Sequence, residues 1–129
     1  MAVTHSTAFR DTVADLVDST LGANPNLVFR LSGSVGTPGT AVATLPMGNP
    51  GFGASSSGVI TANAITSDTN ATGNASPVAN ATLQTSGGTV VVHCAVSTSG
   101  SDINITSGGL TINAGDTVAC SALTYTAMP

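Results

Sequence analysis

Residues 78–96 read Val78-Ala79-Asn80-Ala81-Thr82-Leu83-Gln84-Thr85-Ser86-Gly87-Gly88-Thr89-Val90-Val91-Val92-His93-Cys94-Ala95-Val96. Two runs rich in β-branched and apolar residues flank Thr85-Ser86-Gly87-Gly88, where the glycines supply the positive φ of a tight turn. The stretch predicts an antiparallel hairpin, 78–84 with 89–96. Alternation puts Val90, Val92, Cys94 and Val96 on one face and Val91, His93 and Ala95 on the other.

The same period of two extends in both directions. Leu27, Phe29 and Leu31 alternate with Val28 and Arg30, and 40–45 and 59–66 read as further strands. Downstream, 102–106 and 110–113 flank Ser107-Gly108-Gly109, a second predicted hairpin. Ala114-Gly115-Asp116 then turns the chain into a last and longest strand, 117–127. Short strands at this spacing predict a mainly β protein with a β-sandwich or jelly-roll-like domain.

Only the N-terminal segment carries helical periodicity. Phe9, Val13, Leu16, Val17 and Leu21 recur at helical spacing, and Asp11, Asp15 and Asp18 share the other side, predicting a solvated acidic stripe. Thr4 or Ser6 suits the cap, Gly22 suits the C-terminal stop, and Pro25 blocks continuation. The division is a helical segment, 1–24, and a single β-domain, 25–129. One helix followed by strands excludes a repeated βαβ order.

Three stretches fall between the strands, the first being the Gly/Ser/Pro loop from Gly33 to Gly39. Leu45-Pro46-Met47-Gly48-Asn49-Pro50-Gly51-Phe52-Gly53 is a Pro/Gly turn in which Phe52 is either a plug under the sheets or an exposed anchor. Residues 67–76, S-D-T-N-A-T-G-N-A-S, read as a polar loop and the most flexible tip.

Composition narrows the function. Soluble domains carry about a quarter charged residues, whereas this chain of 129 residues has 6% and neither Lys nor Glu. Its two cations are Arg10 and Arg30, so no basic footprint exists for nucleic acid or for an anionic membrane. Solvation falls instead to 35 Ser and Thr residues. Aromatic residues are scarce, with Phe9, Phe29, Phe52 and Tyr125 but no Trp. The core is therefore built from small aliphatic residues, and burial against neighbours is expected to add stability.

The N-terminal sequence M-A-V-T-H-S-T-A-F-R-D has no basic-then-apolar signal pattern, and no run reaches membrane-span length. The expectation is synthesis in the host cytoplasm without secretion. On that basis the sequons at Asn70, Asn74, Asn80 and Asn104 stay unmodified, and Cys94 and Cys120 stay reduced.

No constellation of residues suggests catalysis. His93 and Cys94 face opposite sides of one strand, so they cannot pair as base and nucleophile. His5 lies near the helix start, and the Cys and His spacings fit no zinc pattern. Asp102 and Asp116 adjoin glycine turns, where an Asp carboxylate caps its own backbone; calcium binding there is the sharper alternative. No catalytic, cofactor or metal residue is assigned, and the chain reads as non-enzymatic.

Several stretches together resemble known proteins. They are Leu27-Val28-Phe29-Arg30, Val42-Ala43-Thr44-Leu45 running into Asn49-Pro50-Gly51-Phe52-Gly53, Ala64-Ile65-Thr66-Ser67-Asp68-Thr69, Ser99-Gly100-Ser101-Asp102-Ile103-Asn104, Ala114-Gly115-Asp116-Thr117-Val118 and Leu123-Thr124-Tyr125-Thr126. The set resembles small virion proteins of tailed bacteriophages, of the type that decorates or cements the head. The resemblance implies a compact β-fold bound in many copies to the outer face of the shell, with the major capsid protein and further copies of itself as partners. A homotrimer is the expected assembly. Candidate contact residues are Phe9, Val13 and Leu16 on the helix and Phe52 in the turn. The alternatives are a tail, baseplate or fibre component, or a carbohydrate-binding β-sandwich module, the latter disfavoured by the shortage of aromatic residues.

Overall fold

The hairpin forms where the sequence places it. In the computed structural model, which describes residues 3–34 and 36–129, β4 (Asn80–Gln84) pairs antiparallel with β5 (Val90–Ser97). Thr85 N–H donates to Thr89 O, Gly88 N–H donates to Thr85 O, and Gly88 takes a φ of 94°. Met1 and Ala2 of the predicted helical segment, and Val35 of the loop at 33–39, lie outside the described residues.

Around this hairpin a five-stranded sheet runs in the order β2-β1-β4-β5-β6, with β1 at Asn26–Arg30, β2 at Ala41–Pro46 and β6 at Ile103–Asn104. A second sheet pairs β3 (Val59–Thr61) with β7 (Thr124–Thr126). Leu27, Phe29, Ala43, Leu45, Ala81 and Leu83 bring the large sheet's inner face into one core with Phe52, Ile60, Ala71, Val78, Ile112 and Ala127. The protein is thus mainly β, with a short helix at its N-terminal end.

Two irregularities in the sheet serve packing. Register shifts at Phe29/Arg30 and Leu83/Gln84 leave Val42 and Val91 as extra residues on β2 and β5. Such bulges turn a side chain off the regular alternation. Val42 is thereby buried in the core, Val91 packs against it, and the carbonyl of Val42 accepts from Gly73 N–H.

The helix α1 spans Thr7–Leu21; Ser6 Oγ caps it by accepting from Phe9 N–H, and Gly22, at φ 73°, ends it. Ala14 and Leu21 are buried in the same core as the sheets, with Val13 and Val17 packed beside them. The helical segment therefore shares the β-domain's core.

Several predicted strands are shorter than their sequence pattern suggests. The stretch 59–66 changes partners along its length: β3 pairs with β7, Ala62 bridges Phe52, and Ile65 bridges Met47. The predicted strand 117–127 splits because Val118 pairs with Asp68 while Leu123 O accepts from Ala62 N–H, and Cys120 Sγ donates to Ala122 O between them. The predicted hairpin 102–113 does not form. Asp102 Oδ2 accepts from Ala95 N–H, which folds the chain back so that β6 enters parallel to β5. The carbonyls of Leu110 and Ile112 then accept from Val78 and Asn74 instead.

The polar segment 67–76 is not a loose tip. Its backbone bonds to Val118, Asp116, Val42 and Ile112, and Ala71 is buried. Gly73, at φ 69°, lies so close to the backbone of Asn113 and Ala114 that no side chain fits there.

Candidate functional site

The helix sets its three acids along the loop at 52–58, Asp11 and Asp18 half-buried and Asp15 exposed. Asp18 Oδ1 accepts from Phe52 N–H (3.0 Å), Asp15 accepts from both Ser55 N–H (3.0 Å) and Ser55 Oγ–H (2.9 Å), and Asp11 Oδ1 accepts from Gly58 N–H (2.6 Å). The three carboxylates follow at intervals of four and three residues, one per helical turn, along the extended Ser/Gly loop at 52–58. The predicted solvated stripe keeps Asp15 exposed and also forms a ladder of acceptors for backbone donors of this loop. Charge-assisted bonds of this kind are the stronger class.

Arg10 closes the same side of the helix. Its Nε donates to Met128 O (3.1 Å), Nη2 donates to Ala127 O (3.5 Å), and its side chain packs over Gly58. A Cβ at Gly58, which has φ +78°, would fall 2.9 Å from this side chain. Only glycine both turns the chain here and leaves its N–H open to Asp11.

With the acids bonded to this loop, part of the apolar set faces solvent. Val17 and Leu21 stay on the core side, whereas Phe9 is 50% and Leu16 60% exposed, and Val13 lies half-buried between the two sides. His5 stacks on Phe9 with ring centroids 5.1 Å apart, and its Nδ1 lies 2.7 Å from Pro129 O. Ala8, Thr12, Ser19 and Thr20 are exposed beside them, with exposed Asp15 at the edge of this set. Of the four predicted contact residues, the structure brings Phe9, Val13 and Leu16 together on this face. Phe52 is not on a surface: at 1% exposed it is the plug of the core, and it cannot act as an exposed anchor. Its setting among glycines lets the backbone pass close to Pro25 while the ring turns inward.

A second surface feature is a cavity of about 480 Å³ in the C-terminal half. It lies between the segments 102–109 and 116–124, with Ile103, Ile105, Ile112, Val118 and Leu123 among its lining and Phe29 at its floor. The Asp102 and Asp116 carboxylates at its border already accept from Ala95 and Asn113 N–H. Cys120 lines it with a thiol pushed up by burial.

The outer face of the large sheet carries Arg30, bonded through Nε to Thr82 Oγ1 (3.0 Å), through Nη1 to Gly39 O (2.8 Å) and through Nη2 to Gln84 Oε1 (2.8 Å). His93 lies opposite Thr82 on this face, whereas Cys94 opposes Ala81 on the core side. Burial, and secondarily the Asp102 charge, pushes the Cys94 thiol up to about 11. Among the described residues no three His, Cys, Asp or Glu side chains gather as metal ligands. No described helix is long and apolar enough to cross a membrane.

The bonding of the helix acids to the loop at 52–58 is not among the expectations from sequence. A signal for it exists: residues 53–58, Gly-Ala-Ser-Ser-Ser-Gly, present backbone donors with no strand pattern to satisfy them. No protein-family model, curated protein or solved structure matches this chain.

Proposed function

We propose that this protein is an auxiliary capsid protein that binds the outer face of a tailed-phage head and reinforces the shell. The observation that carries the reading is the helix surface: its acids bond the loop at 52–58, and Phe9 and Leu16 are turned to solvent. An exposed apolar face on a soluble chain marks a contact surface. A surface dominated by Ser and Thr loses little side-chain entropy on docking, because it lacks long charged side chains.

The net charge of −4 supports a position outside a DNA-filled shell, away from the packaged phosphates. Within this reading the two sheets around one core form a sandwich of the jelly-roll type, and the partners are the major capsid protein and other copies of the chain. Many weak, linked contacts then give high occupancy through effective concentration. The test is to add purified protein to emptied heads of the parent particle, measure co-sedimentation, and record the temperature at which the heads rupture. Saturable binding with a raised rupture temperature is expected; absence of binding at micromolar protein would overturn the proposal.

A further inference from the structure

We infer that the cavity beside β6 takes an extended peptide as an added strand, one with apolar side chains at alternate positions and basic residues at its ends. The site lies apart from the helix face that carries shell binding and does not rest on that reading. At about 480 Å³ it falls within the range of ligand sites. Ile103 and Ile105 on one wall, and Val118 and Cys120 on the other, are half-buried with exposed residues between them. That alternation marks a strand with one face on a core. These side chains and Leu123 pack against the core, yet they line the cavity and stay partly open to it. The core is therefore left incompletely covered on this side, and the cover it lacks has the shape of a strand with alternate apolar side chains.

The backbone and the charges define the occupant further. β6 is the last strand of the large sheet. Ile105 N–H donates to Ser97 O, so the backbone groups of Asn104 face away from β5. The N–H groups of 106–109 on one wall and of 119–122 on the other have no acceptor among the described residues. An extended peptide supplies backbone carbonyls to such donors, as in strand addition at an open sheet edge. At the border, Asp102 and Asp116 each accept a backbone N–H through Oδ2, and no Lys or Arg follows Arg30 to neutralise them. Basic residues flanking the peptide complement these two carboxylates. A phosphate or carboxylate ligand finds no cation here, and Phe29 at the floor, 2% exposed, offers no ring face to a sugar.

The experiment titrates the full chain into a fluorescein-labelled, end-blocked peptide, Lys-Val-Thr-Val-Ser-Val-Lys, and follows anisotropy. Saturable binding is expected with a Kd of about 100 μM. Saturating peptide is expected to slow amide exchange at 106 and at 119–122 at least about tenfold and to leave exchange in β4 unchanged. Replacing both peptide Lys residues by Glu is expected to weaken binding at least about tenfold. Ser121→Trp sets a large ring at an exposed position of the wall, and it is expected to weaken binding equally while keeping the wild-type melting curve. A peptide N-methylated at each Val tests the backbone pairing without altering the protein, and equal binding by it would overturn the inference. So would absence of binding at about 1 mM peptide, or binding that leaves those amides unprotected. Self-association of the chain alone that Ser121→Trp abolishes would give the cavity to a second copy and likewise overturn it. No readout needs a particle, so failure here is distinguishable from failure of the capsid reading.

Discussion

Arg30 lies across the outer face of β1 and β4 with its donors on one hydroxyl, one backbone carbonyl and one side-chain amide, all neutral. Three fixed acceptors in different directions match a planar guanidinium and not a point charge. Arg30→Lys is therefore expected to lose most of what Arg30→Met loses, about 2 kcal/mol of unfolding free energy by urea denaturation. A lysine variant as stable as wild type would contradict that role. Cys94 makes a second prediction at this scale. Its thiol stays protonated in the fold up to about pH 11, against 9.0 unperturbed. Below pH 9 both states hold the proton, and stability is unaffected by the shift. Between 9 and about 11 the unfolded chain ionises first, so the stability present below that window declines across it. At pH 8, labelling of Cys94 by a disulfide reagent is expected to be slow in the native protein and fast in urea.

At the scale of elements, α1 is fastened as much by its acids as by its apolar side. Replacing Asp11, Asp15 and Asp18 together by Ala removes the acceptors for Gly58, Ser55 and Phe52 N–H. Amide exchange at those three positions is expected to speed up at least tenfold, on the order of 1–2 kcal/mol of lost protection. Exchange in β4 should be unchanged. Phe52→Ala acts differently: it empties a site 1% exposed and is expected to cost about 3–5 kcal/mol in denaturant melts. The elements also show what a sequence can and cannot carry. The β4–β5 hairpin was legible because alternation and a Gly-Gly turn are both local. The predicted hairpin at 102–113 failed because the bond from Ala95 N–H to Asp102, seven residues away, overrides a turn signal of equal local strength. The helix was legible as a helix, with its cap and stop. Its orientation was not, because it depends on donors in a loop that the sequence leaves forty residues distant, such as Ser55 on Asp15.

For the whole molecule, the sparse charge in the sequence and the surface in the structure point the same way. Residues 31–129 hold only three acids and no cation, and each of those acids, Asp68, Asp102 and Asp116, has a carboxylate oxygen bonded to a backbone N–H. Charge is sparse on this surface, and among the described residues the large exposed apolar side chains are Val3, Phe9, Leu16 and Met128. Phe9, Val13 and Leu16 could be picked out from spacing alone, whereas Phe52 could not be placed, since a lone ring among glycines fits a plug and an anchor equally well. The central claim is a virion role on the shell, and the copy number of this chain in purified particles tests it most directly. Quantitative mass spectrometry against the major capsid protein is expected to give a ratio near one, or a simple fraction of it set by the symmetry sites occupied. A handful of copies per particle would move the protein to the tail or a single vertex, and its absence from particles would contradict the account.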